Sequence, residues 1–187
     1  TRTSTLFPYT TLFRSQLALD TPETAWRIRI PENTLITFHD ELLGNCRIAL
    51  DLEMPDFVVR RKDRLPAYQV ASLCDDMEMG INLVVRGEDL MLSTAAQLFL
   101  AQQTGSDAVM QAKFIHHPII RTGEGNKLSK SDDALSVTEM RKAGLNTTEL
   151  WQKIAHSLGY DDNAIVDAQS FLQRFRIEDM PRHFMQV

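Results

Sequence analysis

Lys127 and Lys130 stand three apart in the stretch Gly125-Asn126-Lys127-Leu128-Ser129-Lys130-Ser131-Asp132. Glycine lets the backbone bend toward a ligand. Lysine supplies mobile point charges that suit phosphate oxygens. Ser129 and Ser131 add hydroxyl donors. The stretch follows an apolar run, Phe114 to Ile120, and precedes a helix start. A loop of this kind can close over a nucleoside triphosphate and neutralise a departing pyrophosphate. Taken alone, the same residues also describe a solvated Lys/Ser turn, because short motifs recur by chance. The elements around the loop have to decide.

Polar residues that could join this chemistry sit at the ends of three expected strands. Asp56 to Arg61 reads as a short β-branched strand ending in Arg60-Arg61. Ala67 to Glu78 has a helical pattern, with Val70, Leu73, Cys74 and Met77 on one face and Gly80 as the stop. Ile81 to Val85 is a buried strand, followed by Arg86-Gly87-Glu88-Asp89. Ser93 to Thr104 is a second helix, with Thr94-x-x-Gln97 as its capping box and Gly105 as its stop. Lys113 to His116 is a third strand, ending in His116-His117. This β-α-β-α-β order with short joins predicts a parallel sheet with right-handed crossovers. Ligands bind such sheets beyond the carboxyl ends of the strands.

Upstream, residues 16–55 read as a small β-rich piece. Trp26 to Ile30 and Thr34 to Phe38 alternate with period two, and Arg47 to Leu52 is a third short run. His39 beside Asp40 could do acid–base work, but with no nucleophile nearby the pair reads as a surface turn. Downstream the chain turns helical. Ser136-x-x-Glu139 opens one helix and Asn146-x-x-Glu149 another, with Leu150, Ile154 and Leu158 on a stripe. Asp162 is the expected cap of a third, with Ile165, Ala168, Leu172 and Phe175 facing inward. Trp151 and Phe171 read as core. Arg174, Arg176, Arg182 and His183 form either a phosphate-facing patch or a solvated face.

Composition excludes some classes. The chain has 187 residues, 43% hydrophobic and 24% charged, which is an ordinary soluble globular balance. No apolar run approaches the roughly 20 residues of a membrane span, so no membrane partner is expected. The net charge of -5 does not advertise nucleic-acid binding, although a local basic patch can sit on an acidic protein. Cys46 and Cys74 stand 28 apart with no Cys-x-x-Cys pair, so a zinc site is not supported and a reducing, cytoplasmic setting is expected. Residues 1–15 hold five Thr and two Ser, no acid and a repeated Thr-Leu-Phe. They read as a cloning-derived or out-of-frame leader rather than a transit peptide. There is no initiator Met, and the start is expected to be truncated.

Four segments together resemble the glutamyl-tRNA synthetase family: DFVVRRKDRLPAYQVASLCDD (56–76), GINLVVRGEDLMLSTAAQLFL (80–100), FIHHPII (114–120) and KLSKSD (127–132). Their order and spacing are far more specific than the lysine loop alone, and the resemblance covers about residues 25–160. It implies an α/β fold: the second half of a class I Rossmann-type parallel-sheet catalytic domain (56–135). A β-rich end of an inserted acceptor-binding domain (16–55) would precede it, and a helical tail (136–187) would follow. The short tail resembles the glutamyl-queuosine tRNA(Asp) synthetase branch. A glutamyl-tRNA synthetase cut at both ends and a non-catalytic tRNA- or protein-binding paralogue are the alternatives.

The resemblance implies activation of glutamate by ATP, with Mg²⁺, and transfer of the acyl group to tRNA. It places Lys127 and Lys130 as the lysines that stabilise charge on the triphosphate. Ser129 would hold the loop or touch phosphate, and Leu128 takes the place of a common Met. Tyr68 and Arg86, 18 apart, match the family's glutamate-pocket Tyr and Arg. Arg suits a side-chain carboxylate through paired N–H groups. Ser72 stands where the family often has another pocket residue. His116 or His117 would approach the nucleotide or be structural, and Asp75-Asp76 would be structural. Without the family, Arg86 pairing with Glu88 or Asp89, and Tyr68 in the core, would read equally well. The family's front half is not matched. The chain is therefore expected to be inactive alone, monomeric, and to expose a sheet edge.

Overall fold

The computed structural model describes residues 6–9, 21–121, 136–160, 164–180 and 185–186. It divides into two compact units, Thr1–Ile115 and His116–Val187. The first unit carries strands β1 (Leu6–Tyr9), β2 (Ala25–Arg29), β3 (Leu35–Asp40) and β4 (Gly44–Ala49), then a short helix α1 (Leu50–Glu53). After these come β5 (Asp56–Arg60), α2 (Tyr68–Glu78), β6 (Leu83–Gly87), α3 (Met91–Thr104), α4 (Asp107–Met110) and β7 (Lys113–His117). Elements from β5 to β7 follow the order expected from periodicity.

Their sheet membership is different. The strands form a three-stranded sheet β1-β2-β5 and a four-stranded sheet β4-β3-β7-β6. β5 therefore does not lie beside β6 and β7. It pairs antiparallel with β2, placing Phe57 opposite Ile28 and Arg60 opposite Trp26. The cross-strand pairs account for this choice. Phe57 and Ile28 are both buried. The Arg60 guanidinium stacks 4.3 Å from the Trp26 ring centre, and Arg27 forms an ion pair with Asp56. Arg60-Arg61 thus ends a strand of the other sheet, and the expected convergence of three strand ends is reduced to β6 and β7.

The parallel part of the fold runs through β3, which pairs parallel with β7 at Asp40–Phe114. Strands from both sides of residues 55 and 56 are thereby shared between the sheets. Asp40 is fully buried and accepts from the Leu42 and Leu43 amides at 2.9 and 2.8 Å, closing the turn into β4. His39 is exposed, and its Nδ1 lies 3.0 Å from Asn45 Oδ1 across that hairpin. The pair holds a turn, as expected, but Asp40 does so from the interior.

The core joins Ile28, Ile36, Ile48, Leu50, Phe57, Leu73, Phe99 and Phe114 among others. Helix α3 supplies more of it than any other element, with Thr94 to Ala101 buried at every position. Its small residues Ala95, Ala96 and Ala101 are fully buried. The expected box at Thr94-x-x-Gln97 is not a cap: α3 starts at Met91 with no side-chain cap, and Gln97 lies inside it. Gly105 ends the helix with φ 71°, a left-handed conformation natural to glycine.

The second unit has β8 (Ile120–Arg121), α5 (Val137–Lys142), α6 (Thr147–Ser157), α7 (Ala168–Arg174) and β9 (Met185–Gln186), with β8 and β9 parallel. Asn146 and Glu149 form the complete capping box of α6, and Ser136 caps α5 by accepting from the Glu139 amide. Asp167 caps α7, and Asp162 lies outside the described residues. The later start rotates the expected face. Ile165 is fully buried ahead of the helix, whereas Ala168 and Leu172 are exposed. Phe171 packs against Trp151, Tyr160 and Phe175, with ring centres 5.3 to 6.0 Å apart. The Tyr160 hydroxyl donates to Asp179 at 2.7 Å, and burial followed by this bond raises its pKa.

Candidate active site

Tyr68 is the first residue of α2, and the chain before it explains why the helix begins there. Arg61 N donates to Leu65 O at 2.8 Å and closes a tight loop in which Arg64 takes φ 69°. Pro66 bridges back to Arg60, and Ala67 N donates to Val59 O at 3.0 Å. Ala67, buried and extended, is the N-cap, and its carbonyl receives the Val70 and Ala71 amides. Tyr68 therefore starts the helix with its side chain 51% exposed, not in the core. Ser72 lies one turn on along the same face and is half-buried.

The rest of α2 departs from the expected stripe. Leu73 is buried and Val70 packs against the core, but Cys74 and Met77 are exposed. The inward face is narrower than the pattern predicts. Both cysteines are free thiols. Cys46 is half-buried, and burial followed by the Asp40 charge pushes its pKa up. Among the described residues, no group of three His, Cys, Asp or Glu side chains is placed to hold a metal ion.

Arg86 is the penultimate residue of β6. Leu83 and Val85 are exposed at 45% and 59%, while Val84 packs on the core and Arg86 shares its alternate face. Arg86 is half-buried. Its Nη1 donates to Gln97 Oε1 at 2.8 Å, so its partner is Gln97 rather than Glu88 or Asp89. Gln97 is only 3% exposed, and its Nε2 is buried without a partner among the described residues. Sequence reasoning assigned Gln97 to a helix cap. The signal for its true place was a lone amide within an otherwise apolar stretch, eleven residues after an arginine.

The structure thus brings together Arg86 and Gln97, and it places Tyr68 and Ser72 on the adjoining helix. Lys127, Ser129 and Lys130 lie outside the described residues. His116 is fully buried, and His117 is half-buried with Nδ1 3.0 Å from Pro118 O. Arg174 and Arg176 are exposed, while Arg182 and His183 lie outside the described residues. A cleft of 210 Å³ between Phe38, Leu98, Met110 and Phe114 contains none of the expected site residues. Among the described residues, no helix is long and apolar enough to cross a membrane.

A half-buried arginine held by one neutral amide keeps its charge and its other N–H groups for an anionic ligand. A family model described as tRNA synthetases class I (E and Q), catalytic domain, matches residues 14–184. The chain is 40% identical over 126 residues to the glutamyl-Q tRNA(Asp) synthetase of Thiobacillus denitrificans, covering 67% of this chain and 40% of that protein. It is 33% identical over 159 residues to glutamate–tRNA ligase 2 of Helicobacter acinonychis, covering 84% of this chain and 34% of that one. The chain therefore spans between a third and two-fifths of the length of these curated relatives. In fold it resembles a glutamate tRNA ligase from Elizabethkingia meningosepticum, crystallised with its amino acid. That match has a TM-score of 0.67 at 22% identity, over 87% of this chain and 36% of the other.

Proposed function

Because the chain belongs to the class I tRNA synthetase (E and Q) catalytic-domain family, we propose that the protein activates glutamate with ATP and passes the acyl group to a tRNA. The observation that carries this reading is Arg86, half-buried at the end of β6 and tied through a single N–H to Gln97. Its remaining donors suit the side-chain carboxylate of glutamate, and the Tyr68 hydroxyl can donate to the same ligand. Ser72 lines the same helix face.

Lys127 and Lys130 are the proposed partners of the triphosphate, with Ser129 holding the loop. As the glutamate α-carboxylate attacks the α-phosphorus, pyrophosphate leaves and negative charge grows on its oxygens. A positioned ammonium stabilises that charge more in the transition state than in the ground state, an effect of roughly 3 kcal/mol per well-placed group. Mg²⁺ enters with ATP, held mainly by the phosphates. His116, fully buried, suits a structural role.

For the acceptor we favour the queuosine-bearing anticodon stem of tRNA(Asp). Support comes from identities of 39–41% to three glutamyl-Q tRNA(Asp) synthetases, against 31–37% to the glutamate–tRNA ligases compared. A glutamyl-tRNA synthetase acting on tRNA(Glu) is the second reading, favoured by the longer match, 159 against 126 residues. On either reading residues 16–55 are the end of an inserted acceptor-binding domain, 56–135 the second catalytic half, and 136–187 a helical tail. The protein is proposed to be a cytoplasmic monomer.

These 187 residues by themselves are proposed to be inactive; among the described residues β6 is an edge strand, with Leu83 and Val85 open, and Tyr68 is half-exposed. The test is glutamate-dependent ATP–pyrophosphate exchange by the complete gene product with total tRNA, followed by charging of tRNA(Asp) and tRNA(Glu). Glutamate-dependent exchange is expected. Its absence would overturn the reading, and exchange by the 187-residue chain alone would overturn the inactivity.

A further inference from the structure

Gln97 is a polar side chain where packing alone asks for an apolar one. It lies on α3 among Ala95, Ala96, Leu98 and Phe99, all buried, and is itself 3% exposed. Its Oε1 is used, accepting from Arg86 Nη1 at 2.8 Å. Its Nε2 is buried with no partner among the described residues. A buried N–H without an acceptor destabilises a fold. Methionine has similar volume and flexibility and carries no such cost. The amide is therefore best explained by what it holds.

What it holds is the guanidinium of Arg86, a planar fork whose orientation decides which ligand geometry it meets. Anchoring one Nη1 hydrogen to a rigid helix sets the plane of the fork and leaves the other donors open. Gln97 does this without charge. A carboxylate there would fix Arg86 equally well but would cancel the charge that attracts an anion.

We propose that Gln97 is a positioning residue that aims Arg86 at the side-chain carboxylate of the amino acid substrate. Its neutrality is then part of the preference for an anionic over an amide side chain. This rests on the proposed glutamate activation and goes one residue deeper. Gln97 touches Arg86, not the substrate, so its loss acts on amino-acid binding rather than on the adenylation step.

The experiment compares wild type, Gln97→Met and Gln97→Glu in the complete gene product, by ATP–pyrophosphate exchange with total tRNA, titrating glutamate, glutamine and ATP. For Gln97→Met the glutamate KM is expected to rise about tenfold, with kcat and the ATP KM within about twofold, since Arg86 is no longer held in the plane that meets the carboxylate. The melting temperature should hold or rise, because the orphan N–H is removed. For Gln97→Glu the glutamate-over-glutamine ratio in kcat/KM should fall by about a hundredfold, as the Arg86 charge is neutralised. An unchanged glutamate KM in Gln97→Met would overturn the proposal while leaving glutamate activation standing. So would parallel losses in glutamate KM, ATP KM and melting temperature, which mark a purely structural residue. No glutamate-dependent exchange by the wild type would overturn glutamate activation itself, and this proposal with it.

Discussion

Helix α3 buries every residue from Thr94 to Ala101, whereas α2, the helix on the other side of β6 in the chain, buries only Leu73. Each carries part of the candidate pocket. α3 contributes Gln97, locked in the core and bonded to Arg86. α2 contributes Tyr68, half-exposed, and Ser72. The contrast teaches that the candidate site has residues fixed by packing on α3 and residues on a surface helix, α2. A side chain on a helix buried all round has few positions open to it. One on an amphipathic helix keeps rotamers until something covers it.

The strongest way to break this contrast is to empty the core under α3. Phe99→Ala should cost about 3–5 kcal/mol in urea unfolding, by transfer plus cavity, because Phe99 is buried. Met77→Ala on the exposed side of α2 should stay within about 0.5 kcal/mol. Equal effects would mean that α2 is packed as tightly as α3.

Function offers the next test. Arg86→Lys keeps the charge but loses the fork. In glutamate-dependent exchange it should lower kcat/KM by about 1.5–3 kcal/mol, or roughly ten- to a hundredfold. Tyr68→Phe removes one hydroxyl from the exposed half and should cost about 0.5–1.5 kcal/mol, tenfold or so at most. A larger loss from Tyr68→Phe would reverse the ranking of the fixed and open halves.

Smaller changes probe the entry to α2. Arg64 holds a left-handed backbone at φ 69° that suits glycine. Arg64→Gly relieves that strain but loses entropy in the unfolded chain, so a net gain below about 1 kcal/mol is expected in denaturant midpoints. Ala67 has an extended N-cap conformation but no side-chain acceptor. Ala67→Ser should add about 0.5 kcal/mol, read the same way, if the hydroxyl reaches the free amides of the first turn. Neither change should alter α3, which hydrogen exchange of its amides would show.

Local patterns were legible where one residue's conformation sufficed. The strand–helix order from Asp56 to His117 matches apart from the short α4, as do the glycine stop at Gly105 and the box of Asn146 and Glu149. Patterns that depend on partners were not. Cys74 and Met77 satisfy helical spacing but point outward, because spacing marks an apolar stripe and not how much of it is covered. Thr94-x-x-Gln97 fits a capping box in letters, yet the helix had begun three residues earlier at Met91.

The candidate site divides along the same line. Arg86 at a strand end and Tyr68 at a helix start could be read from the chain, since each depends on local order. The pairing of β5 with β2, the parallel contact of β3 with β7, and the bond from Arg86 to Gln97 depend on which surfaces meet. Periodicity states that a segment is a strand or a helix and which side is apolar. It carries no record of the neighbour that side will find. Only the tertiary structure chooses that neighbour, because burial and hydrogen-bond satisfaction are decided over the whole core at once.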